Sequence, residues 1–195
     1  VARPMKPFVG VDLDGCLYNW DATARELLQN RGVIIPSDPS QYWDQIRDQI
    51  TEKDWKWLWS SRGARQRLFE DGSSFPDGIG AVRELQDSAN IVIVTKRPRD
   101  VTPATLRWLA DQELLPHTVV HVPPGSHKHE IMPRCATYVE DNPSYAEGLA
   151  GNLGVTVHLP RRTWNEELHF SSDGLIRPFD RWSEVTQWVK KHIVK

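Results

Sequence analysis

Apolar and polar positions follow two rhythms along this chain. The run Phe8-Val9-Gly10-Val11 has the length of a buried strand and stops at Asp12-Leu13-Asp14-Gly15. Ile91-Val92-Ile93-Val94 is a second such run and ends at Thr95-Lys96. A third spans 119–122 and is closed by Pro123-Pro124-Gly125. Thr137-Tyr138-Val139 leads into Glu140-Asp141-Asn142-Pro143, and 155–159 reads as a fifth strand. Helical spacing separates these runs. Pro76-Asp77-Gly78 opens a helix through Val82, Leu85 and Gln86. Thr102-Pro103 reads as an N-cap with proline at the first helical position, for a helix to about 114. A short helix is expected over 145–149, and Ser183 is placed to cap a last helix carrying Val185, Trp188 and Val189.

Alternating strands and helices predict an α/β fold: a parallel β-sheet covered by helices on both faces. Such sheets bind ligands at the carboxyl ends of their strands. Three of the strands here end in polar groups: Asp12 and Asp14, Thr95 and Lys96, Glu140 and Asp141. The stretch 20–74 breaks the rhythm. It predicts helices near 22–30, 41–50, 53–59 and 64–69, inserted directly after the first strand as a small helical cap. The expected division is a core of 1–19 and 75–195 with a cap of 20–74.

Composition fits this picture. A chain of 195 residues, 39% hydrophobic and 26% charged, suits one domain with an insertion. The net charge of −2 argues against a nucleic-acid binder that relies on bulk positive charge, although Arg62, Arg65 and Arg67 form a local basic cluster. Two cysteines, Cys16 and Cys135, predict no disulfide framework and suit a reducing, cytoplasmic setting. No signal peptide and no membrane-spanning run is expected.

The first strand's end carries the chemistry. Side chains at i and i+2 of a strand start on one side, so Asp12 and Asp14 crowd two like charges unless a cation or shared proton relieves them. The same pair could instead make Asx-type turns. Oxygen-rich surroundings favour a hard cation such as Mg2+. Carboxylates, a metal and nearby cations together suit phosphoryl transfer. Asp12 is then the nucleophile, and Asp14, further out, is the general acid and base. Thr95, Lys96 and Lys128 would bind phosphate oxygens. Of Glu140 and Asp141, adjacent and therefore divergent, Asp141 is the expected metal ligand, with Glu140 behind it or on a metal-bound water.

These residues, in order, resemble the four motifs of the haloacid dehalogenase (HAD) superfamily of phosphatases: Asp12-Leu13-Asp14-Gly15, Thr95, Lys128 and Glu140-Asp141. The resemblance implies a Rossmann-like core, Mg2+ dependence and a covalent phospho-aspartate. It also implies that Asp14 gives its backbone carbonyl to the metal, which leaves its carboxylate for proton transfer. The inserted helical cap, Phe75-Pro76-Asp77-Gly78 and the closing segment 176–185 are most similar to the 5'(3')-deoxyribonucleotidases. Three positions depart from that pattern: Glu140 where aspartate is common, Cys16 where Thr or Val is usual, and Lys96-Arg97-Pro98 after the second motif. The implied substrate is a small-molecule nucleotide. Alternatives are a phosphatase of the same fold for sugar phosphates or nucleic-acid ends, and a non-catalytic binding module.

Nine tryptophans stand out, five of them between Trp20 and Trp59. On a helix, Trp55 and Trp59 share a face and Trp57 lies away from it. One set would pack and the other could stack on a base. Trp20, Trp57, Trp59 and Arg97 are the candidate substrate contacts. His127 and His129 flank Lys128 without partners at zinc spacing, and Cys16, beside two carboxylates, reads as a packing residue.

Overall fold

The computed structural model of the chain describes residues 5–35, 47–131, 134–162, 165 and 174–194. Six strands form one sheet, all parallel, in the order β3-β2-β1-β4-β5-β6. They are β1 (Phe8–Asp12), β2 (Asn90–Thr95), β3 (Thr118–His121), β4 (Thr137–Val139), β5 (Thr156–Pro160) and β6 (Ile176–Phe179). The α/β class is as expected, with one strand more. β6 was not foreseen because Arg177-Pro178 interrupts its apolar pattern. Proline is tolerated there because β6 is an edge strand.

Helices connect the strands: α1 (Trp20–Asn30), α2 (Glu52–Ser60), α3 (Arg62–Glu70), α4 (Pro76–Gln86), α5 (Thr102–Asp111), the short α6 (Lys128–Ile131), α7 (Pro143–Leu153) and α8 (Trp182–His192). Several ends differ from the sequence reading. α1 starts at Trp20, because the Asn19 side chain accepts from the Ala22 N–H. α5 starts at Thr102 itself, after a 3-10 turn over Arg99–Val101. α8 is capped at Arg181 rather than Ser183, since Glu184 accepts from the Arg181 backbone N–H at 2.9 Å. α7 is longer than expected, capped by Asn142 and ended by Gly154 in the left-handed conformation. The expected helix over 41–50 falls largely outside the described residues.

Side-chain alternation in the central strands divides the core. Val9, Val11, Ile91, Ile93 and Val139 join one apolar cluster, and Val92, Val94 and Tyr138 join the other. Gly10 is what lets β1 and β4 pair here, because a Cβ on it would lie 2.2 Å from the Tyr138 ring. The first cluster continues into Leu27, Leu28, Leu58 and Leu68, so α1 to α3 share it rather than owning a separate core. The chain leaves for these helices and returns through a narrow neck. There Asn19 donates to the Ser73 carbonyl and Phe75 to that of Leu17, at 2.9 and 2.8 Å.

Strand order reverses between β1 and β4, the point at which an open parallel sheet leaves a crevice for a ligand. The ends of both strands carry the carboxylates.

Candidate active site

Lys128 stands at the start of α6 and its ammonium is buried between two of those carboxylates. Its Nζ donates to Oδ1 of Asp12 and to Oε2 of Glu140, each at 2.6 Å. The other oxygen of Glu140 accepts from the Asn142 N–H at 3.1 Å. Glu140 is thereby held at both ends. Asp141 turns the other way, toward Asp12 and Cys16, and these three residues bring one ligand-type atom each within 4.8 Å of one another. The adjacent acids at the end of β4 thus diverge, one onto the lysine and one onto the carboxylate cluster.

The loop after β1 is shaped for this. Gly15 has φ +86°, and a Cβ there would fall 2.0 Å from Oδ2 of Asp141. Only glycine lets the backbone pass so close to that carboxylate. The Gly15 carbonyl accepts from Arg162 at 3.1 Å.

Charge is unbalanced here. Asp12, Glu140 and Asp141 are buried together with Lys128, and Arg162 is the second cation close enough to act on Asp141. Burial pushes the Asp12 carboxyl up to about 7; Lys128 pulls it down, while Glu140 and Asp14 add to the rise. Asp141 is raised well above the usual carboxylate range by burial, then by Asp12 and Glu140. Burial opposes the charge on Lys128, but Asp12 and Glu140 outweigh it and raise its pKa. Cys16 is raised too, by burial and then by Asp141 and Asp12, so its thiol keeps its proton. Oxygen donors carrying more negative than positive charge fit a hard divalent cation. Asp12 and Asp141 are the side chains that would hold it.

Above this cluster lies a cavity of about 410 Å³. Asp12, Asp14, Lys96, Arg97, Lys128, Glu140 and Asp141 are among its lining residues, together with the rings of Trp20, Trp59, Phe69 and Tyr145. Trp20 and Trp59 are stacked with centroids 6.2 Å apart. Lys96 donates to the Ser126 carbonyl at 2.7 Å, and its Nζ lies 5.1 Å from the centre of the Tyr145 ring. The same ring is 5.3 Å from Nζ of Lys128.

Thr95 and Trp57 lie away from the cavity, whereas Arg97 is on its wall. Thr95 is fully buried, is not among the lining residues, and its hydroxyl accepts from the Arg97 backbone N–H at 3.0 Å. Trp57 does not line the cavity; the Arg31 guanidinium lies 4.8 Å over its ring. Arg97 turns inward. Its side chain is 0% exposed and forks onto the Asp14 carboxylate, with Nη2 to Oδ1 at 2.7 Å and Nε to Oδ2 at 3.0 Å. Arg65 and Arg67 of the basic cluster pair with Asp100 and Glu26, at 2.7 and 3.0 Å.

Tyr145 and Phe69 were not anticipated as lining residues. Tyr145 had a signal in its place one turn after the Asn142 cap, at the end of β4; Phe69 had none beyond its helix.

No protein-family model and no curated protein matches the sequence. Solved structures match the fold. A haloacid dehalogenase-like hydrolase from Streptococcus pneumoniae aligns with a TM-score of 0.66 at 14% identity, over 94% of this chain and 98% of that one. A protein assigned as a HAD hydrolase from Bacillus subtilis, bound to magnesium, aligns with a TM-score of 0.62 at 12% identity, over 96% and 100%. One assigned as a phosphoglycolate phosphatase from Lactobacillus plantarum gives 0.60 at 15% identity, over 94% and 99%. The chain has the haloacid dehalogenase-like fold. None of the helices among the described residues is long and apolar enough to cross a membrane.

Proposed function

We propose that this protein is a Mg2+-dependent phosphomonoesterase that hydrolyses nucleoside monophosphates, deoxyribonucleotides foremost, through an aspartyl-phosphate on Asp12. The observation that carries the reading is the convergence of Asp12, Lys128, Glu140 and Asp141 beneath one cavity at the sheet's switch point. The fold adds an analogy, since structural neighbours include a hydrolase bound to magnesium and a protein assigned as a phosphatase. Residues 20–74 act as a cap on a core of 1–19 and 75–195. Two buried thiols outside any disulfide, Cys16 and Cys135, suit a reducing cytoplasm.

The chemistry follows from the side chains. A carboxylate oxygen of Asp12 attacks phosphorus and the ester P–O bond breaks, while Asp14 gives its proton to the departing oxygen. Water then attacks the acyl phosphate, Asp14 takes its proton, and the bond from phosphorus to Asp12 breaks to release orthophosphate. Lys96 and Lys128, both on the cavity wall, would bind the phosphoryl oxygens. Bound Mg2+, held by Asp12, Asp141 and the Asp14 carbonyl, would neutralise charge on those oxygens. The aromatic wall of Trp20, Trp59 and Phe69 offers a base a stacking surface. Ion pairing of Arg65 and Arg67 weakens the case for nucleic-acid ends.

Phosphate release from a panel of nucleoside monophosphates and sugar phosphates, with Mg2+ and with chelator, tests this. Mg2+-dependent release from the nucleotides is expected. Efficient cleavage of sugar phosphates with nucleotides ignored would overturn the substrate assignment.

A further inference from the structure

Arg97 is on the cavity wall, but its guanidinium is engaged by protein groups. Its guanidinium holds both oxygens of Asp14, while Nη1 donates to the Phe69 carbonyl at 3.0 Å and to the Thr105 hydroxyl at 3.3 Å. The Tyr18 ring lies 4.2 Å from its central carbon, and the Phe69 ring 5.1 Å. Tyr18 is fixed in turn: its hydroxyl donates to the Leu68 carbonyl and accepts from the Gly72 N–H, both at 2.8 Å. One planar fork therefore ties the loop after β2 to the end of α3 and to the second aspartate of the first loop. The Asp14 side chain stays 27% exposed and lines the cavity.

We propose that Arg97 is a positioning residue: it aims the Asp14 carboxylate at the substrate's leaving oxygen and makes that aim depend on the docked end of α3. The inference rests on the phosphatase reading above. A planar fork fixes both the distance and the rotation of a carboxylate, which a lysine ammonium cannot. A misaimed proton donor slows only steps that need the proton. In this role Arg97 acts through Asp14 rather than on the substrate.

The test compares kcat/KM for a nucleoside monophosphate and for nitrophenyl phosphate, whose leaving group departs without a proton. This ratio stops at phosphoryl transfer to Asp12, so it isolates leaving-group departure. Arg97→Gln is expected to lower it about 100-fold or more on the nucleotide and under about 10-fold on the aryl ester. Arg97→Lys should show the same split. Asp14→Asn should show it too, and the double variant should be no slower than Asp14→Asn alone. Equal losses on both esters, or losses that multiply in the double variant, would overturn the proposal. Should thermal melts show that neither Arg97 variant folds, Thr105→Val, which loosens the fork from behind, carries the same comparison. A folded wild-type protein that cleaves neither ester overturns the phosphatase reading instead, a result distinct from an active enzyme whose variants show no split.

Discussion

Nζ of Lys128 lies 2.6 Å from Oδ1 of Asp12, a contact that spans 116 residues of sequence and joins α6 to the end of β1. It is nearly dry, with side-chain exposures of 3% and 8%. The same ammonium also serves Glu140. Removing it would leave two carboxylates buried without their counter-charge. Lys128→Met is therefore expected to lower unfolding free energy by about 3–5 kcal/mol, read by denaturant melts, and to abolish phosphate release. Unchanged stability would mean that the pair is not buried in solution as it is here.

The unbalanced carboxylates should make the fold respond to divalent ions. Mg2+ at about 100 times its dissociation constant would stabilise a protein that binds it only when folded by about 3 kcal/mol. A rise in melting temperature with Mg2+ is expected for the wild type and not for Asp141→Asn. Asp12→Asn should lose phosphate release entirely. Release that survives Asp12→Asn would rule out the covalent intermediate.

Gly15 and Gly10 separate local chemistry from folding. Alanine at 15 would need φ +86° and would press on Asp141. Gly15→Ala should therefore cost the Mg2+-induced stabilisation and most of the activity. Gly10→Ala would instead meet the Tyr138 ring, inside the pairing of β1 with β4. It should lower the melting temperature while the protein that remains folded keeps its Mg2+ response.

What the sequence made legible, and what it hid, has a physical pattern. Asp12, Asp14 and Asp141 could be singled out because nothing in strand packing asks for carboxylates at those ends. The strands themselves were visible as β-branched runs. Arg97 was ambiguous, since a loop arginine reads the same whether it is solvated or swallowed by tertiary contacts. The tryptophans showed the complementary limit. Helical phase puts Trp57 on a different face from Trp59, but only the packing of α2 on α1 and α3 decides that Trp59 meets the cavity and Trp57 meets Arg31. Thr95 was chosen for its hydroxyl, and that hydroxyl serves the backbone of Arg97.

The two tryptophans therefore make a paired test. Trp59 lines the cavity beside Trp20, and a stacked base is worth about 1–3 kcal/mol. Trp59→Leu should raise KM for a nucleoside monophosphate roughly 5- to 150-fold, with a smaller change in kcat. Trp57→Leu should leave both within about 2-fold. The reverse pattern in steady-state kinetics would place the base elsewhere.

His158 gives the fold a dependence on pH that has nothing to do with catalysis. It sits in β5, buried, with no hydrogen-bond partner for Nε2 among the described residues and its ring edge-on to Trp188 at 4.9 Å. Burial, and then the charge of Arg177, lower its pKa to about 4. An unfolded histidine titrates near 6.5, so between these values the unfolded chain binds the extra proton. Its contribution is complete above about pH 6.5 and is lost as pH falls toward 4, on the order of 3 kcal/mol over the window. Asp12, with its pKa pushed up to about 7, acts in the opposite sense over part of the same range. The informative quantity is thus the difference between wild type and His158→Phe in urea melts at pH 7, 5.5 and 4.5. His158→Phe should gain on the wild type steadily as pH falls, and a difference that stays constant would mean that His158 titrates normally in the folded protein.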